Sequence, residues 1–194
     1  MSSRCRCSIA VAAVWVLMCA LPPCRSAAPV DWAAASSLLA ESMRNISDRW
    51  EVDTFPVFLK TAWMTEPGYD RMKHKFKLKL LGSILGEQQT FVVSFTGSSV
   101  TAGHDSPFAK SYPVLVETAL YPIFEAMDVK LVVRNVAMGN NPCKPYDICV
   151  RTFCGDDADV VVWEQSYNCH PSDKGYLYEQ FIRQVRSPIV LHTR

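Results

Sequence analysis

The chain has 194 residues, of which 49% are hydrophobic and 20% charged, with 8 Gly and 12 Pro. That length allows one domain plus an N-terminal appendage, and the composition excludes intrinsic disorder, collagen and coiled coil. Lys and Arg at 20 against Asp and Glu at 19 give a net charge of +1, too balanced to draw phosphate by general attraction, so nucleic acid is not an expected partner.

Arg4 and Arg6 precede an uncharged apolar run from Ile9 to Leu21, followed by Pro22, Pro23 and the small residues Ser26, Ala27 and Ala28. A basic start, an apolar stretch and a small-residue end have the form of a secretory signal, so residues 1–28 read as a signal peptide. The alternative is an uncleaved type II membrane anchor, because the uncharged span from Cys7 to Cys24 nearly crosses a bilayer. Pro22 and Pro23 break the run and favour the signal. The protein is therefore expected to be secreted or lumenal, touching a membrane only if that segment stays attached. Removing it takes Arg4, Arg6 and Arg25 and turns the net charge from +1 to −2. Of the eight cysteines, Cys143, Cys149, Cys154 and Cys169 then remain in an oxidising compartment, where they allow three pairings. No Cys-x-x-Cys pair is among them, which argues against zinc. Asn45-Ile46-Ser47 is an N-glycosylation acceptor, in keeping with secretion.

Residues 29–89 read as a helical N-terminal extension. Val30 to Met43 is Ala-rich and predicts a helix, and Trp50 to Pro67, with its Trp and Pro, reads as irregular. From Tyr69 to Leu81, Met72, His74, Phe76 and Leu78 alternate with Arg71, Lys73, Lys75, Lys77 and Lys79, which fits a strand; Met72, Phe76 and Leu80 also fit one helical stripe. The absence of a turn signal favours the helix, with the lysines as a solvated face rather than an anion-binding one.

Residues 90–194 are more regular. Phe91, Val92, Val93 and Phe95 predict a strand ending at Gly97. Ser111 and Pro113 then open a helix as N-cap and first residue, with Val116, Leu120, Ile123, Phe124 and Met127 on its apolar face and a kink at Pro122. A second strand follows at Leu131–Val133, a short helix at Asp147–Cys154 stopped by Gly155, and a third strand at Val160–Trp163. Ser172 is placed to cap a helix running through Val185, before a fourth strand at Ile189–Leu191. Apolar strands alternating with helices imply an α/β fold with a parallel sheet buried on both faces.

Ligands of open parallel sheets meet the carboxyl ends of the strands. Gly97-Ser98-Ser99-Val100-Thr101, Asn135 to Asn141, and Glu164-Gln165-Ser166-Tyr167-Asn168 fall at three such ends. A Gly-Ser-Ser turn can expose a serine as nucleophile and aim its own N–H at an oxyanion; a Gly in the second cluster and an Asn in the third can add donors. The alternatives are a turn serine at Ser99, a positive φ at Gly139 and a turn cap at Asn168. Glu164 is either a strand-end carboxylate held by hydrogen bonds or one whose pKa burial raises.

Phe95-Thr96-Gly97-Ser98-Ser99-Val100-Thr101 resembles the first block of the SGNH hydrolases, or GDSL-like lipases and esterases. Asn135-Val136-Ala137-Met138-Gly139 resembles the second block and Trp163-Glu164-Gln165-Ser166-Tyr167-Asn168 the third. The resemblance covers about Thr90 to Arg194 and implies a three-layer α/β/α, SGNH/flavodoxin-like fold. It implies hydrolysis of a carbohydrate O-acyl or lipid ester by Ser99 as nucleophile, with Gly139 and Asn168 in the oxyanion hole and no metal or organic cofactor. Ser98 stands where the family has Asp, and Cys169 where an Asp often follows the Asn. Cys143 and Cys169 each follow one of these blocks, so a bridge between them would tie two site loops together; Cys143 to Cys149 is its rival, and Cys149 to Cys154 is disfavoured by opposite helix faces.

The family's base, a His in a late Asp-x-x-His block, has no counterpart here. His104 and His170 lie near the blocks in sequence, His74 and His192 farther away. Because the chain stops three residues beyond an apolar strand, the C-terminal part of the fold is expected to be missing, with the base in it. The rival readings are a non-catalytic, glycan- or ligand-binding relative that keeps the pocket, and an interaction protein working through the lysine-rich helix.

Overall fold

The computed structural model describes residues 30–49, 54, 57, 67–104, 106–140, 143–144, 146–165, 168–170, 172–185 and 190–192. The expected signal segment, residues 1–28, lies outside them, as does most of the stretch expected to be irregular; Thr54 and Val57, the described positions between Trp50 and Glu66, are helical instead. Among the described residues no helix is long and apolar enough to cross a membrane.

Helix α1 spans Trp32–Ser47, starting two residues later and ending four residues later than its Ala-rich stretch suggested, and begins where the Asp31 carboxylate accepts the Ala34 N–H at 2.9 Å. Pro67–Ile84 forms α2, so the helical period and not the alternation decides that segment. Met72, Phe76 and Leu80 pack against the core, as their single stripe requires. The lysines divide: Lys73 pairs with Asp70 at 2.7 Å on the surface, whereas Lys75 and Lys79 turn toward the buried Asp159 at 3.0 and 3.8 Å.

Strand β1 (Gln89–Phe95) runs parallel to β2 (Val129–Asn135) on one side and β3 (Val160–Trp163) on the other, and β4 (Val190–His192) lies beyond β3, giving the order β2-β1-β3-β4. The protein is thus α/β with a small parallel sheet. β3 is a continuous apolar run and β1 is buried from Phe91 to Phe95, because both faces of the sheet are covered there, whereas β2 carries the exposed Lys130. Phe91, Val93, Phe95, Leu131, Val160 and Val162 form one cluster with Ile123 and Phe124, and α1 and α2 pack onto it through Ala35, Phe76 and Leu80. Phe76, Phe91 and Phe124 interlock there with ring centroids 5.4 to 5.8 Å apart. On the opposite face Val92, Val161 and Trp163 meet Val150, Cys154, Leu177 and Phe181, the last with its ring centroid 4.3 Å from that of Trp163. Each such side chain contributes roughly 1.5 to 3 kcal/mol on burial.

Short helix α3 (Ser99–Ala102) follows β1, and α4 (Tyr112–Ala126) leads into β2. Ser111 stands at the N-cap of α4 as expected, but its buried hydroxyl makes no cap bond, and Pro113 is the second helical residue rather than the first. The helix continues through Pro122 to Ala126. Helix α5 (Tyr146–Cys154) ends at Gly155, whose φ of 85° suits a stop signal. Helix α6 (Lys174–Gln184) has Asp173, not Ser172, at its N-cap; Ser172 Oγ instead donates to Asp173 Oδ1 at 2.9 Å. Strand β4 reaches one residue further than expected, to His192, and Ile189 lies outside the described residues.

Candidate functional site

Three loops leave the carboxyl ends of adjacent strands: from β1 at the centre, from β2 on one side and from β3 on the other. The β1 loop is the turn Gly97–Thr101, with Ser98 at the N-cap of α3 and the half-buried Ser99 as its first residue.

This turn is held from both flanks. On the β3 side a single oxygen, Glu164 Oε2, accepts from Ser98 N–H at 3.1 Å, Ser98 Oγ at 2.9 Å and Thr101 Oγ1 at 2.7 Å. Since the Thr101 hydroxyl donates its proton to a carboxylate, its 2.8 Å contact with the Tyr112 hydroxyl has the tyrosine donating, which ties the turn to α4. The fully buried Gln165 donates from Nε2 to Gly97 C=O at 2.9 Å. On the β2 side Met138 N–H donates to the same carbonyl at 3.1 Å, and Asn135 Nδ2 donates to Thr101 C=O at 2.9 Å. Within the turn Ser98 Oγ accepts the Val100 N–H at 3.2 Å, and His104 N–H donates to Ser99 C=O at 2.9 Å. Among the described residues, none of the bonds that hold the turn uses Ser99 N–H or Ser99 Oγ. Gly97 is required by space: a Cβ there would meet the Thr101 side chain and Glu164 Oε2.

Gly139, in the loop after β2, lies against Ser99, and a Cβ built on it would stand 3.5 Å from Ser99 Cβ. The positive φ considered for Gly139 belongs to its neighbour Asn140, at 53°. Asn168, in the turn after β3, donates its N–H to Gln165 C=O at 2.9 Å and its Nδ2 to Gln165 Oε1 at 3.4 Å. Gln165 therefore touches both Gly97 and Asn168. Cys143 and Cys169 form a disulfide with Cα atoms 5.1 Å apart, fastening the loop after β2 to the loop after β3; Cys149 and Cys154 are free thiols on α5. Both bridging sulfurs also lie 3.3 Å from Gln165 C=O.

The histidines are spread out. His74 is exposed on α2, and His192 lies in β4 opposite Trp163. His104 closes α3, and His170 Nδ1 is 2.8 Å from Ser172 Oγ. Asn45 is exposed in the last turn of α1 rather than in a loop. Among the described residues no group of three or more His, Cys, Asp or Glu side chains could hold a metal ion.

Glu164 is the hydrogen-bonded strand-end carboxylate that one of its two sequence readings offered. The roles of Gln165, Asn135, Thr101 and Tyr112 carried no signal of their own, though the first three fall within the polar clusters at the strand ends. Compared with models of protein families, with curated proteins and with solved structures, the chain gives no match.

Proposed function

We propose that the chain is a secreted, SGNH-like serine ester hydrolase on a three-layer α/β/α, flavodoxin-like fold, acting on carbohydrate O-acyl or lipid esters without a metal or organic cofactor. The observation that carries this reading is the turn in which the residues flanking Ser99 are committed to Glu164, Gln165, Asn135 and Met138 while Ser99 N–H and Oγ take no part in the clamp. This arrangement holds the backbone of a nucleophile in place and leaves its hydroxyl for a base and a substrate to engage.

In the proposed reaction Ser99 Oγ bonds to the acyl carbon, and the carbonyl oxygen becomes an oxyanion received by Ser99 N–H, Gly139 N–H and Asn168 Nδ2. The Ser99 hydroxyl proton passes to solvent, the bond to the alcohol breaks as the alcohol takes up a proton from solvent, and water then adds to the acyl-enzyme, breaking the Ser99–acyl bond to release the acid and restore the hydroxyl. Each oxyanion donor is expected to be worth on the order of a hundredfold in rate. None of the four histidines is assigned as the base, so the test reads stoichiometric modification rather than turnover.

The full chain is incubated with a fluorophosphonate, and the modified peptide is identified by mass. Slow modification at Ser99, driven by the oxyanion donors without a base and lost in Ser99→Ala, is expected. Equal labelling of Ser99→Ala, or an unlabelled parent protein, overturns the nucleophile assignment; glycan retention by an unlabelled protein would favour the non-catalytic binding module.

A further inference from the structure

We propose that Glu164 is a positioning residue for Ser99: reaching across from the end of β3, its carboxylate sets the backbone on both sides of the nucleophile. This inference rests on the esterase reading above.

Three donors converge on Glu164 Oε2, two from Ser98 and one from Thr101, at 2.7 to 3.1 Å. They bracket Ser99, so the carboxylate fixes the residue before the nucleophile and the first turn of helix after it. The bond from Ser98 N–H turns that amide toward β3. The bond from Ser98 Oγ orients the hydroxyl that in turn accepts the Val100 N–H, which leaves the intervening Ser99 N–H outside the network. A carboxylate suits this position because its oxygens accept several bonds and its charge shortens and strengthens each of them. A neutral amide carbonyl of the same shape offers the same lone pairs without that charge. The Tyr112 hydroxyl, donating to Thr101 Oγ1, extends the same chain into α4.

Glu164→Gln and Thr101→Val test this in the full chain, with phosphonylation of Ser99 resolved into a reversible binding constant and a maximal rate of modification. The maximal rate in Glu164→Gln should fall on the order of tenfold to a hundredfold, the cost of displacing a reacting atom by a fraction of an ångström to about one, while the binding constant and the final stoichiometry stay unchanged. Thr101→Val, which removes one of the three donors, should give a smaller loss in the same parameter and covers the case in which Glu164→Gln fails to fold. A purely structural carboxylate would instead lower the fraction of protein that can be labelled and leave the rate on the remainder intact. As an independent readout, amide exchange at Ser98 should accelerate in Glu164→Gln at least about tenfold, because its N–H loses the charged acceptor. Unchanged modification rate in both variants, with the parent labelled at Ser99, overturns the positioning role and leaves the esterase reading standing. A parent that is not labelled at Ser99 overturns both.

Discussion

Asp159 offers the sharpest test of how the helices are fastened to the sheet. It lies at the entry to β3 with its side chain 3% exposed, donates its N–H to Val92 C=O at 2.8 Å and receives the Val92 N–H on Oδ2 at 2.8 Å. Oδ1 faces Lys75 Nζ at 3.0 Å and Lys79 Nζ at 3.8 Å, so one carboxylate joins β1, β3 and α2. Asp159→Asn keeps an acceptor for Val92 but removes the charge opposite two partly buried ammonium groups, and is expected to cost about 1.5 to 3 kcal/mol. Asp159→Ala also strands the Val92 N–H and should cost roughly 3 to 5 kcal/mol, a large part of the roughly 5 to 15 kcal/mol that holds a domain together. Urea unfolding followed by fluorescence reads both as a lower midpoint at unchanged slope. In a chain of this size the Asn variant should lose about 3 to 12 °C in Tm. A cycle with Lys75→Met should be non-additive by about 1 kcal/mol, because the two groups share an interaction. If Asp159→Asn unfolds within about 0.5 kcal/mol of the parent, the ion pairs hold nothing; if Asn and Ala behave alike, the Val92 bond holds nothing.

Burial pushes the Cys154 thiol up to about 12 from an ordinary value of about 9, with the Arg134 guanidinium opposing the shift. Folded protein at pH 8 should therefore let iodoacetamide modify Cys149 and spare Cys154; early alkylation of Cys154 would contradict this. The unfolded thiol ionises first, so the unfolded state holds fewer protons above pH 9 and stability should fall by about 1.4 kcal/mol per pH unit up to about pH 12. A Cys154→Ala variant with the same slope would refute that origin. Breaking the Cys143–Cys169 bridge, which spans a sequence separation of 26, by Cys169→Ser should cost about 3.5 kcal/mol, and an unchanged urea midpoint would show that the loops hold without it. Expression through a secretory pathway should add a glycan at Asn45, seen as a mass loss on glycosidase treatment and absent in Asn45→Gln. Gly97→Ala should cost about 1 to 3 kcal/mol, because its Cβ meets Thr101 and Glu164. Gly139→Ala should leave stability within about 0.5 kcal/mol while slowing phosphonylation of Ser99; a stable, fully reactive Gly97→Ala would contradict the crowding.

The sheet was largely legible because each strand contains a short run of apolar residues. Val160–Trp163 has the same limits in sequence and structure, whereas β2 extends past Leu131–Val133 to include Lys130, Arg134 and Asn135. As an edge strand β2 can carry polar side chains outward, and Arg134 pairs there with Asp157 at 2.6 Å. Apolarity alone marks only the part of such a strand that faces the core. The lysine-rich helix was legible as a helix, but the inward turn of Lys75 and Lys79 depends on Asp159, a partner far along the chain that no local pattern announces. Residues 29–89, separable in sequence as an extension, supply α1 and α2 to the same hydrophobic cluster as β1 and α4.

The site divides along the same line. The turn at Ser99 shows in sequence because glycine followed by two serines after an apolar strand is a local pattern, and Gly139 and Asn168 show because they follow strands in their turn. The clamp does not show, since Glu164 and Ser98 are 66 positions apart and meet only through strand pairing. Once β1 and β3 pair with Phe95 opposite Val162, the parallel register carries Gly97 to Glu164, and the carboxylate and amide of residues 164 and 165 fall beside the turn. The strand order explains why the grip is two-sided. With β1 between β2 and β3, its loop can be held by Asn135 and Met138 from one neighbour and by Glu164 and Gln165 from the other. A turn leaving an edge strand would have one such neighbour, and half of its backbone polar groups would fall to water. The central position of β1 thus lets the residues around Ser99, and its own carbonyl, be fixed by protein groups while its N–H and hydroxyl are not spent on holding the turn.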